Sequence, residues 1–198
     1  MKKTLTFVSL GLASVLVLSA CSTPAGGSMP GMDHGTTSPV PMASSASSAH
    51  NDADTMFAAM MIPHHRQALE MSEIMLAKKG LPDTVTQLAA RIKAAQAPEI
   101  KTMTSWLQAW GEDSQGHSGH QMDGMLSGSD LDALKAAQGR GAARLFLEQM
   151  IAHHQGAPSM ARTESSTGKN PQAVSLSNEI VKAQAAEIEE MKRLLAGL

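Results

Sequence analysis

From about residue 51 onward, apolar residues recur every three or four positions, which is the spacing of one face of an α-helix. Asn51 and Asp52 offer an N-cap and a first-turn carboxylate at the start of this pattern, and Gly80 interrupts it. Asp130 is predicted to cap a later helix. The pattern predicts an all-α domain over residues 51–198, with helices at about 51–79, 83–110, 130–163 and 171–198.

A motif in the first predicted helix recurs in the third, and a motif in the second recurs in the fourth. The first pair is Phe57-x3-Met61-Ile62-Pro63-His64-His65-x2-Ala68-x2-Met71 and Phe146-x3-Met150-Ile151-Ala152-His153-His154-x2-Ala157-x2-Met160. The second pair is Leu88-x3-Ile92-x2-Ala95-Gln96-Ala97-x-Glu99 and Leu176-x3-Ile180-x2-Ala183-Gln184-Ala185-x-Glu187. Since neither helical hairpin can cover its own apolar stripe, we expect the two to pack as a four-helix bundle with pseudo-twofold symmetry.

A helical wheel places several metal-binding side chain types on the inward faces of these helices. His64 is predicted to point inward among thioethers, with His65 about a quarter-turn to the side. Glu99 falls within an otherwise apolar seam that includes Ala95. With their counterparts in the second repeat, the inward candidates are Met61, His64, His65, Met71, Glu99, Met150, His153, His154, Met160 and Glu187.

Two interpretations of the inward His and Glu residues remain open. Burying an unpaired carboxylate costs several kcal/mol, so each Glu needs a partner. His64 with Glu99, and His153 with Glu187, could satisfy each other as purely structural hydrogen-bonded pairs. The same residues could instead hold a metal ion, since helix bundles use buried His and Glu for both purposes. For the inward Met residues we favour a role in core packing over metal ligation, because Met fits irregular helix contacts.

The N-terminal segment has the order of a bacterial export sequence. Lys2 and Lys3 precede an apolar run over residues 5–18, which is short for a membrane span. Residues 1–20 are therefore predicted to be a signal peptide. The run ends in a lipobox-like element before Cys21, which is the predicted lipidation site; the alternative is an ordinary cleaved signal that leaves a free thiol. Residues 21–50 are rich in Ser, Gly, Pro and Ala and are predicted to be a flexible tether.

Composition excludes several classes of protein. The single Cys excludes a disulfide framework and any Cys-rich zinc or iron–sulfur site. A net charge of -2 with 17% charged residues argues against a nucleic-acid partner, which would need clustered Lys and Arg. The chain is instead unusually rich in ligands for soft and borderline metal ions, with Met 15 and His 8.

Met and His also cluster where nothing apolar surrounds them. The tether carries one cluster, and a Gly-rich loop predicted over residues 111–129 carries another. Thioethers select Cu(I) and imidazoles suit either copper oxidation state, so these clusters predict copper binding; the alternative is a solvated linker with incidental Met and His. The candidate ligands are Met29, Met32 and His34 in the tether and His117, His120, Met122 and Met125 in the loop.

The two copies of the Met-Ile-x-His-His motif and the Gln96-x2-Glu99 element resemble the bacterial family called domain of unknown function 305. The resemblance covers about residue 54 to the C-terminus. It implies an exported, ferritin-like four-helix bundle that binds copper through Met and His and contributes to copper tolerance. The chain departs from the first copy at Ala143, which matches Asp54, and Gly156 and Pro158 are expected to interrupt the third helix. We therefore expect the second hairpin to bind metal less well than the first, or not at all.

These observations predict an exported lipoprotein that faces the periplasm or the cell exterior. It would bind copper, as Cu(I) at Met-rich positions and Cu(II) where His dominates, and would buffer the ion or transfer it to other copper-handling envelope proteins. No enzymatic turnover is required. One alternative is a ferritin-like dimetal oxidoreductase, although no Glu-x-x-His motif occurs in the predicted helices. Another is a metal-free adaptor bundle in which His and Glu serve only structure.

Overall fold

A computed structural model describes residues 49–113 and 122–198. These residues are helical, with no strand among them, which confirms the predicted all-α fold class. The helices are α1 (Asp52–Leu76), α2 (Asp83–Trp110), α3 (Gly128–Ala136), α4 (Gly139–Thr167) and α5 (Pro171–Gly197).

Part of the predicted chemistry lies outside the described residues. The predicted signal peptide, the lipidation site and the tether ligands all lie outside them, as do the two loop histidines. Of the loop candidates, only Met122 and Met125 are described. The residues concerned are Cys21, Met29, Met32, His34, His117 and His120.

The four long helices form two antiparallel hairpins, as the sequence repeat predicts. Helix α1 packs along α2, and α4 packs along α5. The main contact between the hairpins is that of α1 with α4, whereas α2 and α5 barely touch each other. The two helices that carry the His-His motifs therefore lie at the centre of the bundle.

The third predicted helix is divided in two, which corrects the expectation of one continuous helix over residues 130–163. The short helix α3 ends at Ala136, and α4 begins at Gly139, whose φ of 54° lies in the left-handed region. Asp130 is not the cap: Ser127 caps α3, and the Asp130 carboxylate completes a capping box by accepting from the Ser127 backbone N–H. The break lets Leu134 of α3 bury itself in the core.

Neither Gly156 nor Pro158 interrupts α4, so that expectation is wrong. The helix runs through both residues, just as α1 runs through Pro63. A proline removes one hydrogen bond, and the buried side chains on either side keep the helix together. Gly156 has a packing role instead, because a Cβ there would lie 1.8 Å from the Asp123 carbonyl oxygen.

Apolar side chains form two clusters, one on each side of the buried histidines along the helix axes. One cluster contains Met75 and Phe146, and the other contains Phe57 and Ile180. Large residues within them, including Phe146, are completely buried. Burial of such side chains contributes roughly 1.5–3 kcal/mol each, which makes the bundle a rigid frame for the polar layer between the clusters.

Specific hydrogen bonds fix both ends of α4. At its C-terminal end, the Asn51 side chain at the start of α1 donates to the Thr167 carbonyl oxygen over 2.8 Å. At its N-terminal end, the Arg140 guanidinium donates to the carbonyl oxygen of Leu198. Among the residues that the structure describes, no helix is long and apolar enough to cross a membrane.

Candidate metal centre

Four fully buried histidines occupy the middle of the bundle. His64 and His65 come from α1, and His153 and His154 come from the equivalent turn of α4. The rings of His64 and His153 lie against each other, with centroids 3.8 Å apart and planes tilted by 33°. Residues that the repeat makes equivalent therefore meet at the centre of the molecule.

The outer members of the two His-His motifs have carboxylate partners. His65 Nε2 lies 2.7 Å from Glu99 Oε2, and His154 Nε2 lies 2.7 Å from Glu187 Oε2. The structural pairing predicted for His64 and His153 is therefore wrong by one residue in each repeat. It is the neighbouring histidine that reaches the carboxylate.

The reason for this shift is a rotation of α2 and α5 relative to the predicted wheel. Gln96 and Gln184 are buried, whereas Ala95 and Ala183 are exposed. Glu99 and Glu187 consequently lie at the edge of the bundle, with 24% and 21% of their side chains exposed. An ionised carboxylate at such an edge keeps part of its hydration and loses less free energy than one in the core.

The central pair, His64 and His153, has no comparable partners. No described residue makes a hydrogen bond of ordinary geometry to any of their four ring nitrogens. Burial, reinforced by the neighbouring histidines, lowers the pKa of His64 to about 3, although the backbone carbonyls of His153 and Asp123 partly oppose the effect. Burial lowers the pKa of His153 to about 2, again with contributions from the adjacent histidines. Both imidazoles are therefore neutral at pH 7.

A neutral, buried and unpartnered imidazole is destabilising for the protein alone but suited to a metal. Leaving a buried polar group unsatisfied costs about 1–3 kcal/mol. Metal ions bind the neutral form of imidazole, so no proton has to be displaced from these rings. The central pair thus provides two nitrogen donors in a dry environment.

Thioethers accompany these nitrogen donors. Met61 and Met150 precede His64 and His153 by three residues, which places each Met one helical turn away on the same face. Both Met residues are fully buried, as is Met71, whereas Met160 is partly exposed. The layer therefore combines imidazole with thioether, which is a donor set that suits Cu(I).

Imidazole, thiolate and carboxylate side chains alone do not form a metal site in the described part of the chain. Within residues 49–113 and 122–198, no three His, Cys, Asp or Glu side chains are grouped so that they could hold a metal ion. A carboxylate-bridged dimetal site requires several such groups, including Glu-x-x-His pairs. The described side chains therefore do not favour the dimetal oxidoreductase alternative.

The end of the Met/His-rich loop docks beside the central histidines. Gly124 has a φ of 82°, and a Cβ there would lie 2.7 and 2.8 Å from the carbonyl oxygens of Ala152 and His153. Gln67 of α1 fixes the next part of the loop, since its side chain both donates to and accepts from the Leu126 backbone, at 2.9 and 2.7 Å. Met122 precedes Gly124 by two residues, Met125 follows it directly, and both are partly buried.

Two features of the described chain were missed by the inward-face prediction. One is a buried carboxyl pair formed by Asp54 of α1 and Glu164 of α4. The other is a solvent-open cavity that contains Met56 and Met60. The repeat alignment carries evidence for the first: Glu164 occupies the position of Met75 in the first copy, and a carboxylate that replaces a core Met needs a specific partner.

Comparison with known proteins agrees with this architecture. A family model described as Domain of unknown function (DUF305) matches residues 54–195. The chain belongs to the DUF305 family. The family match confirms the resemblance drawn from the repeated motifs, and it spans all five helices. No curated protein matches this DUF305 chain.

Solved structures of relatives share the bundle. A DUF305 protein from Streptomyces coelicolor, described as secreted, is 30% identical with a TM-score of 0.69, covering 77% of this chain and 94% of that chain. A DUF305 fragment from Deinococcus radiodurans is 30% identical with a TM-score of 0.67, covering 75% and 98%. CopM in its Cu(I)-bound form is 36% identical with a TM-score of 0.60, covering 73% and 96%. CopM is also known in Cu(II)-bound and Ag-bound forms.

Proposed function

We propose that this DUF305 protein binds copper ions and buffers them or transfers them to other proteins, with His64 and His153 as the central ligands. The observation that carries the proposal is the pair of touching, fully buried imidazoles whose four ring nitrogens make no hydrogen bond of ordinary geometry to any described residue. A bound ion would satisfy nitrogens that otherwise destabilise the fold. The structure of CopM, a relative with 36% identity, in its Cu(I)-bound form supports copper as the bound ion, as does its Cu(II)-bound form.

Cu(I) is the ion that the core suits best. Met61 and Met150 stand one turn from the central imidazoles, and soft thioethers favour Cu(I) over Cu(II) or zinc. Met71, which is also fully buried, extends the thioether supply along α1, whereas Met160 lines a solvent-open cavity farther along α4. We assign His65 and His154 a supporting role, because each already holds a carboxylate, Glu99 or Glu187, and a His–carboxylate pair orients the ring next to a metal site.

The polar Met/His clusters would capture ions before the core holds them. Met122 and Met125 lie on either side of the loop segment that docks at Gly124, close to the central histidines. His117 and His120 precede that segment by a few residues, and Met29, Met32 and His34 lie in the tether. We propose that these residues bind Cu(I) or Cu(II).

We also propose that the protein is exported and anchored by lipid at Cys21, after removal of residues 1–20. The mature chain would then consist of a tether over residues 21–50 and the bundle over residues 51–198. Intact mass of the membrane-extracted protein tests this: we expect a mature chain that starts at Cys21 and carries acyl groups. In Cys21→Ala we expect loss of acylation and membrane association. A wild-type chain that retains residues 1–20 would contradict the proposal.

The decisive experiment for the core site is anaerobic Cu(I) competition against a chromophoric chelator, with His64→Leu/His153→Leu as the test variant. Leu has a volume close to that of His, so the fold should persist. We expect the double variant to lose at least one tightly bound equivalent of Cu(I). His50→Leu is the matched control, because His50 stacks on Trp110 at the surface, with ring centroids 4.7 Å apart, and should leave binding unchanged.

The opposite result would identify the adaptor alternative. If the folded double variant and the wild type bind Cu(I) and Cu(II) equally, the central imidazoles are not ligands. If the wild type binds neither ion at micromolar concentrations, the protein is a structural bundle in which His and Glu serve packing alone. Circular dichroism of each variant establishes that the fold is retained.

A further inference from the structure

A solvent-open cavity of about 270 Å³ lies between the N-terminal half of α1 and the C-terminal half of α4. Three thioethers line it: Met56 and Met60 from α1, and Met160 from α4. Met56 and Met60 are four residues apart and so share one helix face. This group is separate from the central histidines, which are fully buried.

Core packing does not explain this group of methionines. Met56 is 40% exposed, and Met60 and Met160 are partly exposed. Large apolar side chains left open around a concave surface lose the free energy that burial would provide. A function that requires access from solvent is a reason to keep them there.

The equivalent region of the other repeat is built differently. Leu145 and Gln149 occupy the positions of Met56 and Met60, and only Met71 retains the thioether of Met160. The loop stretch that contains Met125 and Leu126 lines the same cleft as Leu145 and Gln149. The open group of three thioethers is therefore a property of one copy and not a by-product of the duplicated fold.

The charge around the cavity suits a cation. Glu164 lines it and is buried against Asp54. No Lys or Arg is among the residues that line the cavity. A cation in the cavity would therefore meet a carboxyl group and no positively charged side chain.

We infer that Met56, Met60 and Met160 form a second, solvent-accessible site for a monovalent soft cation, Cu(I). Three thioethers provide neutral soft donors around one cavity, and no Lys or Arg side chain lines it. The inference extends the proposed copper-binding function but uses ligands distinct from the central imidazoles. Ions bound here would exchange with solvent-borne donors directly, whereas the central site requires the bundle to open.

The first test observes the wild-type protein and needs no variant for its main result. Full-length protein labelled with 13C in the Met methyl groups is titrated with Ag(I), a redox-inert substitute for Cu(I). We expect the methyl resonances of all three cavity methionines to shift together, and the shifts to be complete after about one equivalent of Ag(I) has bound at the cavity. Single Met→Leu variants assign the resonances. Absence of any shift at Met56, Met60 and Met160 up to several equivalents would overturn the inference.

The second test measures stoichiometry. We expect Met56→Leu/Met60→Leu/Met160→Leu to bind one equivalent of Cu(I) fewer than the wild type in anaerobic chelator competition. The matched control replaces three fully buried methionines that do not line the cavity, Met75, Met103 and Met191, by Leu, and should retain the wild-type count. A folded triple cavity variant with full stoichiometry would overturn the inference.

The two copper proposals fail in different ways. If the cavity variant loses an equivalent while His64→Leu/His153→Leu loses none, the central site is refuted and the cavity site stands. If only the histidine variant loses an equivalent, the cavity site is refuted and the central site stands. Loss of one equivalent in each, and of two in the combined variant, supports both.

Discussion

The two ends of the α1–α4 pair are related by the repeat but differ in chemistry. At one end Asp54 and Glu164 form a buried carboxyl pair. At the other end the equivalent positions hold Ala143 and Met75, and both side chains are buried in an apolar cluster. Between the two ends, the histidine layer is nearly the same in both copies.

The polar end does a structural task that the apolar end lacks. The Asp54 carboxylate accepts hydrogen bonds from the backbone N–H groups of Asn51, Lys169 and Asn170 at 2.7, 3.1 and 2.8 Å. It thereby joins the start of α1 to the α4–α5 turn. Although burial opposes it, these hydrogen bonds lower the pKa of Asp54. The comparison shows that the two copies kept the histidine layer while their ends diverged.

Removal of the carboxylate at the polar end should give the largest change in stability. In Asp54→Ala, three buried or partly buried N–H groups lose their acceptor, and we expect the free energy of unfolding to fall by about 3 kcal/mol. Urea denaturation followed by circular dichroism measures this. The control is Ala143→Ser, which introduces a polar group without partners at the equivalent position of the apolar end. A loss below about 1 kcal/mol in Asp54→Ala would mean that the two ends are energetically alike.

The next prediction concerns pH and the second carboxyl group at the polar end. Burial, together with the adjacent Asp54, raises the pKa of Glu164 from 4.5 to about 8. The folded state then binds a proton more tightly than the unfolded state, so this group's stabilisation is present below pH 4.5 and is lost as the pH rises to about 8. In Glu164→Gln the amide cannot ionise, and we expect this part of the decline to vanish.

Urea denaturation of both proteins from pH 5 to 8.5 tests the Glu164 prediction. The difference between the wild type and Glu164→Gln isolates this residue from other titrating groups. We expect the difference to shift in favour of Glu164→Gln as the pH rises. A difference that stays constant with pH would show that Glu164 is already ionised in the folded protein.

The shared histidine layer should respond in the opposite direction to mutation. In metal-free protein, His64→Leu/His153→Leu removes four unpartnered buried nitrogens, and we expect stability to rise by about 1–3 kcal/mol. Differential scanning calorimetry without copper measures the change, which should raise the Tm by a few degrees. His65→Leu/His154→Leu is the control and should lower stability, since it strands two carboxylates. Equal destabilisation by both pairs would assign the central histidines a structural role.

The smallest effect is expected where the loop crosses α4. In Gly156→Ala the new Cβ would collide with the Asp123 backbone, so the loop stretch from Asp123 to Leu126 should detach while the bundle stays folded. Amide hydrogen exchange at Leu126, which is bonded to Gln67, should speed up by more than tenfold. Protection in the core of α4 should hardly change. Unchanged exchange at Leu126 would show that the close contact is not needed for docking.

Much of this fold could be predicted from its sequence because the helical-hairpin motifs occur twice in the chain. The aligned motifs indicated two hairpins and placed His64 and His153 at their interface. The carboxylate partners were wrong by one position, because a rotation of α2 by a fraction of a turn exchanges Ala95 for Gln96 at the inner surface. Ideal helical wheels do not contain that rotation, which depends on how the side chains pack.

Other differences came from contacts between distant segments. The break before Gly139 follows residues with high helix propensity, and it is the burial of Leu134 that makes a separate α3 favourable. At Gly156, by contrast, the sequence favoured an interruption of the helix that the structure does not show. The glycine is instead used for its lack of a side chain, because the Asp123 backbone passes over it. Such close approaches have no local sequence pattern.

The hydrogen bonds at the two ends of α4 also separate the start of α1 from the end of α5. Asn51 lies at the C-terminal end of this helix and Leu198 at its N-terminal end. A helix of 29 residues extends roughly 40 Å at 1.5 Å per residue, so the two points are about that far apart. A fluorescent protein fused after Leu198 would therefore lie at the opposite end of α4 from Asn51, so the two ends of the bundle can be labelled independently.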